Sequence, residues 1–315
     1  MLTTSKICPT LAWKRLIQLL LVKREHLTSM STIASTSSIF STVSSIINMV
    51  SDEKLQQALS QSFLEASEPL QHCENFFELL PTHCWSSKML ATFFNSWKAT
   101  HLKMLGIYGL SCRLQRLALT KDTQEREQLL LASAFNAETS HEDLGLDYEG
   151  VTHAALYEDF ANSFLENYPW QLDEYCLPEA GDFKKWIYHN MVVNDISKGL
   201  FTNMFSEIYN HGEYTRALFA FSELIDKYYH FSSEEKKKAL FYIGVHVADE
   251  TEVAHFQVVV KALNEYSEAT NTPIDYTQAK LLFKEYLTRL GTVMEALTIE
   301  MRQEINAAKH LLSVS

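Results

Sequence analysis

The sequence predicts an all-α protein, a multi-helix bundle in one domain, from three observations. Of the 315 residues, 46% are hydrophobic and 21% charged, enough apolar material for one large core. Only 9 Gly and 6 Pro punctuate the chain, so turns are few and elements long. From residue 52 onward apolar residues recur with the helical period, and no alternating apolar–polar run bounded by turn signals occurs.

The elements follow in order. Residues 1–50 stand apart: they carry Lys6, Lys14, Arg15, Lys23 and Arg24 with Glu25 as the one acid, and residues 28–45 are rich in Ser and Thr. The apolar run Leu16 to Val22 is too short to span a bilayer. This stretch reads as a disordered N-terminal extension, with Met30 or Met49 as alternative starts, or as an organelle-targeting-like segment, because it is basic, Ser-rich and poor in acids. The helical domain is expected over 51–315. Segment 52–66 is amphipathic, and Leu70 to Leu80 forms a second short piece closed by Pro81. Segment 87–118 reads as one long buried helix, with Lys98 and Lys103 outward and His101 the ionisable residue deep in its apolar stretch. A helix over 122–144 opens at Lys121-Asp122-Thr123. Gly145 and Gly150 precede a helix over 151–167, and Pro169 and Pro178 bracket a loop. A helix over 182–210 ends near Gly212, and another covers 213–230. Ser232-Ser233-Glu234-Glu235 caps a helix over 233–263. Thr272-Pro273 breaks the chain before a last helix over 275–312, which either closes the bundle or builds a homodimer.

Charge and cysteine usage exclude some functions. A net charge of -12 repels phosphates, so no nucleic-acid partner is expected. No segment is apolar for long enough to be a membrane span. The 5 Cys form no CxxC, which argues against a thiolate zinc site and for a reducing, cytoplasmic setting.

Two segments put ionisable groups on otherwise apolar helices. Asn136-Ala-Glu138-Thr-Ser-His141-Glu142-Asp143 follows Leu129 to Phe135. The second is Tyr242-Ile-Gly-Val-His246-Val-Ala-Asp249-Glu250-Thr-Glu252-Val-Ala-His255-Phe256. Each holds Glu-x-x-His, Glu138 with His141 and Glu252 with His255; residues three apart share a helix face, about 60° from one another. Roughly one such match is expected by chance at this composition, so position matters more than the pattern. Asp249 and Glu252 point along an apolar stripe with Val245, Phe256, Val259 and Leu263, and buried carboxylates are costly unless paired or bound to a metal. The alternative is a salt-bridge cluster at the helix edge with Lys236 to Lys238. His246 and His255 fall on opposite sides of a regular helix, so they share one centre only if it is locally wound or bulged. Glu223, inside the apolar run Ala217 to Ile225, supplies a carboxylate from another helix or lies at its edge.

The order ENFFELLPTHCWSSKMLATFFNSW, then NAETSHEDLGLDYEGVTHAALYEDFANSF, then GVHVADETEVAHFQVVVKAL resembles the haem-oxygenase-like di-iron oxidases, within the wider superfamily of thiaminase II and pyrroloquinoline-quinone synthase. The resemblance spans roughly residues 70–265 and implies a haem-oxygenase-like bundle. It implies metal ligands at Glu138 and His141 (or, in a second register, Asp143 and His153), Glu223, His246 and Asp249, with Glu252 where a His is expected and His255 one turn on. On the first core helix no Glu is present, and His101 stands near that place. One or two Fe ions, or Mn, are the implied cofactor; O2 and a small amino- or carboxylate-bearing metabolite are the implied substrates. Two other readings stand beside this one. A metal-free member of the superfamily would act on a cofactor-like molecule through His101, Tyr and Cys112. A non-enzymatic interaction protein would have solvated Glu/His clusters.

Overall fold

The structure, a computed structural model, describes residues 38–101, 103–146, 150–247 and 251–314. The expectations for residues 1–37, and for Asp249 as a ligand, lie outside the described residues. Every regular element among the described residues is a helix.

Helix α1 (Ile39–Ile47) begins at Ser38, whose hydroxyl accepts from the Ser41 amide. Its buried residues Ile39, Val43, Ile46 and Ile47 keep helical spacing, and they face helix α9 (Ile196–Tyr228). The boundary expected at residue 50 is therefore corrected: the Ser/Thr-rich composition hid a short apolar stripe that packs. Helices α2 (Glu53–Glu65) and α3 (Ser67–Leu79) follow, with Asp52 capping α2 and Pro81 in the turn after α3.

The helix expected over 87–118 is two, α4 (Ser87–His101) and α5 (Met104–Ala118). Lys103 sits between them at φ -107°, and its ammonium turns inward to Glu207 and Ser206. It is buried, not outward as its charge suggested. Helix α6 (Thr123–Glu138) is capped by Asp122 and α7 (His153–Phe164) by Thr152. Helix α8 (Pro178–Tyr188) runs into a π-helical turn over His189–Val193. Arg113 pins that turn by donating to the carbonyls of Met191 and Asn194. The break expected near Gly212 falls here instead, and α9 passes through Gly212 without interruption. A Cβ at Gly212 would lie 2.7 Å from Val43 Cγ2 and 3.2 Å from the Ile39 carbonyl, so this glycine lets α1 approach rather than ending a helix.

Helix α10 (Ser233–Ala239) opens with a reciprocal Ser232–Glu235 capping box. Helices α11 (Phe241–Val247) and α12 (Thr251–Thr270) replace the remainder of the rod expected to 263. Helix α13 (Tyr276–Val314) closes the bundle against α2 and α3. Gly291 permits that closure: a Cβ there would meet Pro69 Cβ at 2.6 Å and its carbonyl oxygen at 2.7 Å.

Helix α9 runs through the centre, with α1, α11, α12 and α13 against it. On one side of it the rings of Phe93, Phe94, Trp97, Phe160 and Phe221 stack and meet edge to face. Phe93, Phe94 and Trp97 are core. No helix among the described residues is long and apolar enough to cross a membrane.

Candidate metal centre

The site forms where three helical runs are interrupted beside one that is not. His101 ends α4 and Lys103 precedes α5; Asp143 lies in the short turn Glu142–Leu144, and His153 opens α7. His246 stands near the end of α11, and Glu252 and His255 lie in the first turns of α12. Against these, α9 presents Glu207, Asn210 and Tyr214, which fall within about 60° of one another on a regular helix. Together they line a cavity of about 20 Å³, room for one water-sized occupant.

The contacts are close. Lys103 Nζ donates to Glu207 Oε1 at 2.5 Å and to the Ser206 hydroxyl. His246 Nδ1 lies 2.7 Å from Glu252 Oε1, and His255 Nδ1 lies 3.5 Å from Glu207 Oε2. His153 Nδ1 lies 2.9 Å from Asp143 Oδ1. Glu213, also on α9 and fully buried, accepts from Trp97 Nε1 at 2.9 Å; its other oxygen is 3.2 Å from His101 Nε2, at ion-pair distance but not aligned as a hydrogen bond. Tyr214 stacks on His246 with ring centres 4.2 Å apart, and its hydroxyl meets that of Tyr242 at 2.8 Å.

Burial sets the protonation states. Burial and then the charge of Glu207 push the Glu252 carboxyl well up, so it holds its proton. Burial also pushes Glu207 up, but Lys103 and His255 outweigh it and hold that carboxyl below the ordinary range. Of these two neighbouring acids, Glu252 is the one pushed toward its protonated form and Glu207 the one held as the anion. Burial, then the neighbouring His153 and His101, hold His246 well below its usual value, so its imidazole is neutral.

Three of the expected ligands gather here: His246, Glu252 and His255. The other described ones do not. Among the described residues Glu138 and His141 pair with each other at 3.6 Å, with side chains 57% and 45% exposed. The buried stripe of α6 runs through Leu129, Ala132, Ser133 and Asn136, and Glu138 lies about 200° round from Asn136. Glu223 is on the outer face of α9, bonded to Lys227 at 2.6 Å, while Ala220, Phe221, Leu224 and Ile225 face inward. The second register, Asp143 with His153, is the one that reaches the cavity, and so does His101. Sequence reasoning missed Lys103, Glu207, Glu213, Tyr214 and Tyr242. Glu207 and Glu213 lie among Thr202, Asn203, Ser206, Asn210 and His211, so the sequence there shows no apolar stripe to mark them as buried, although α9 buries both.

The residues fit a metal ion. Ligand atoms of Glu207, Glu252 and His255 all lie within 4.8 Å of one another. His246 Nε2 is buried with no hydrogen-bond partner among the described residues. Neutral imidazole and carboxylate are the donor set of iron and manganese. Cys112, by contrast, is exposed on α5 and takes no part in the cavity.

A scan against protein-family models finds no match, and a search of curated proteins finds none either. Among solved structures, the chain is similar to a TenA homologue from Pseudomonas syringae pv. tomato, with a TM-score of 0.55 over 79% of this chain and 93% of that one, at 11% identity. At that identity the likeness is one of fold, and the all-α bundle expected from the sequence is the fold found.

Proposed function

We propose that the buried centre binds iron, with manganese as the nearest alternative, and that the protein is a non-haem iron oxidase or oxygenase acting on a small amino- or carboxylate-bearing metabolite. The observation that carries this reading is the convergence of His101, His153, His246 and His255 with Asp143, Glu207 and Glu252 on one buried cavity. Buried acids of this number are costly unless ions or protons answer them. Glu207, Glu252 and His255 would hold the ion, with His246 and His153 beside them. Ferrous iron in such a set supplies reductive activation of O2. The chain's own part is to hold His153 against Asp143 and to keep His246 neutral, while Glu252, protonated without the ion, would release its proton as the ion binds. The substrate class rests on the resemblance of the motif segments.

A metal-free reading has one observation in its favour. Lys103–Glu207 and His246–Glu252 already answer the buried acids without an ion. In that case Glu252 and His246 form an acid–base pair toward a small ligand. Metal analysis of protein purified without chelator, then loaded anaerobically with ferrous iron, separates the two. Bound iron with an absorption change on adding O2 supports the oxidase. Failure to bind any transition metal overturns it in favour of the acid–base site.

A further inference from the structure

We infer that the centre is built for one divalent ion per chain, held by Glu207, Glu252 and His255, with the Lys103 ammonium standing where a second ion would sit. This deepens the metal reading above and rests on it.

Two ions bridged by carboxylates in the two-oxygen mode engage both oxygens of each bridge and stand roughly 3.5–4 Å apart. Here one oxygen of each carboxylate is already engaged. Glu207 Oε1 takes the Lys103 ammonium at 2.5 Å, and Glu252 Oε1 takes His246 Nδ1 at 2.7 Å. One ion would sit where Glu207, Glu252 and His255 bring ligand atoms within 4.8 Å of one another, taking over the contact that His255 now makes with Glu207. Among the described residues no other group of three brings ligand atoms that close.

Lys103 is held firmly in that place. It is 7% exposed, its backbone forms the kink between α4 and α5, and Ser206 takes a second proton of the ammonium. A buried ammonium on a four-carbon stem is a fixed single charge that pairs with Glu207 as a metal ion would. Space agrees with charge: about 20 Å³ admits one ion or one water, not two ions with their solvent.

The test is a titration of the full chain with Mn(II), read by metal-to-protein ratio after gel filtration and by electron paramagnetic resonance. The expected result is one ion per chain with the six-line signal of an isolated Mn(II). Two ions, or a signal broadened by exchange between neighbouring ions, overturns the inference and leaves the metal reading intact. No ion at all overturns both. In Lys103→Ala, which vacates the second place, the ratio at saturation should rise above one with exchange broadening. A folded variant that stays at one overturns the part assigned to Lys103, and if the variant does not fold, the ratio of the unaltered chain still decides the count.

Discussion

His246 and Glu252 are six residues apart, yet His246 Nδ1 meets Glu252 Oε1 at 2.7 Å. In a straight helix that spacing separates two residues by about 9 Å of rise and about 120° of rotation. The contact therefore exists because α11 and α12 are not one rod. The isosteric change Glu252→Gln keeps partners for His246 and Glu207 but removes a ligand charge. It should leave the circular dichroism unchanged and cut the affinity for ferrous iron by more than the roughly 10–100-fold typical of a residue that only orients a ligand. Anaerobic calorimetric titration reads the difference.

Glu138→Ala, His141→Ala and Glu223→Ala form the matching set of surface changes. Their partners are each other and Lys227, all well exposed. Each should shift unfolding free energy by no more than about 0.5 kcal/mol in a urea titration and leave metal binding as it was.

Lys103→Met keeps length and removes charge. It leaves Glu207 as a buried anion without its main partner, which costs about 3–5 kcal/mol in the ion-free protein. Added Mn(II) supplies a replacement positive charge. The melting temperature should fall in the variant and recover more steeply with Mn(II) than that of the unaltered chain; equal Mn(II) responses would count against Lys103 acting as the partner of Glu207.

Gly291→Ala presses a methyl group against Pro69, whose backbone cannot give way as a flexible side chain would. The α3–α13 contact should loosen at a cost of about 1–3 kcal/mol. Thermal denaturation checks this, and metal binding should persist because Gly291 meets Pro69 and not the cavity lining.

Thiol labelling of the native protein should divide the cysteines by burial. Cys84 and Cys112 are exposed and should react promptly. Cys73 is buried, and burial followed by the nearby Glu213 charge drives its thiol far above the usual range, so it should react only once the chain unfolds. Prompt labelling of Cys73 would mean that α3 opens readily.

Where local chemistry decides structure, the chain could be read directly. Asp52, Asp122, Thr152 and the Ser232–Glu235 pair stand at helix starts, and Thr272-Pro273 precedes α13. Breaks set by contacts between distant segments were not visible. Lys103 turns inward for Glu207, more than a hundred residues away, and the π-helical turn is pinned by Arg113. The site was legible by the same rule. Glu252 announced itself by sitting on an apolar stripe, and His255 by its spacing from Glu252. Glu138 matched a pattern without the burial to support it, and Glu207 had the burial without a pattern.

The chain holds two internal methionines on either side of α1, Met30 and Met49. A polypeptide started at Met49 would lack Ile39, Val43, Ile46 and Ile47, each buried and each contributing about 1.5–3 kcal/mol. It would also bare the strip of α9 that Gly212 keeps flat for them. A chain without α1 would leave part of its central helix uncovered and be prone to self-association through that strip.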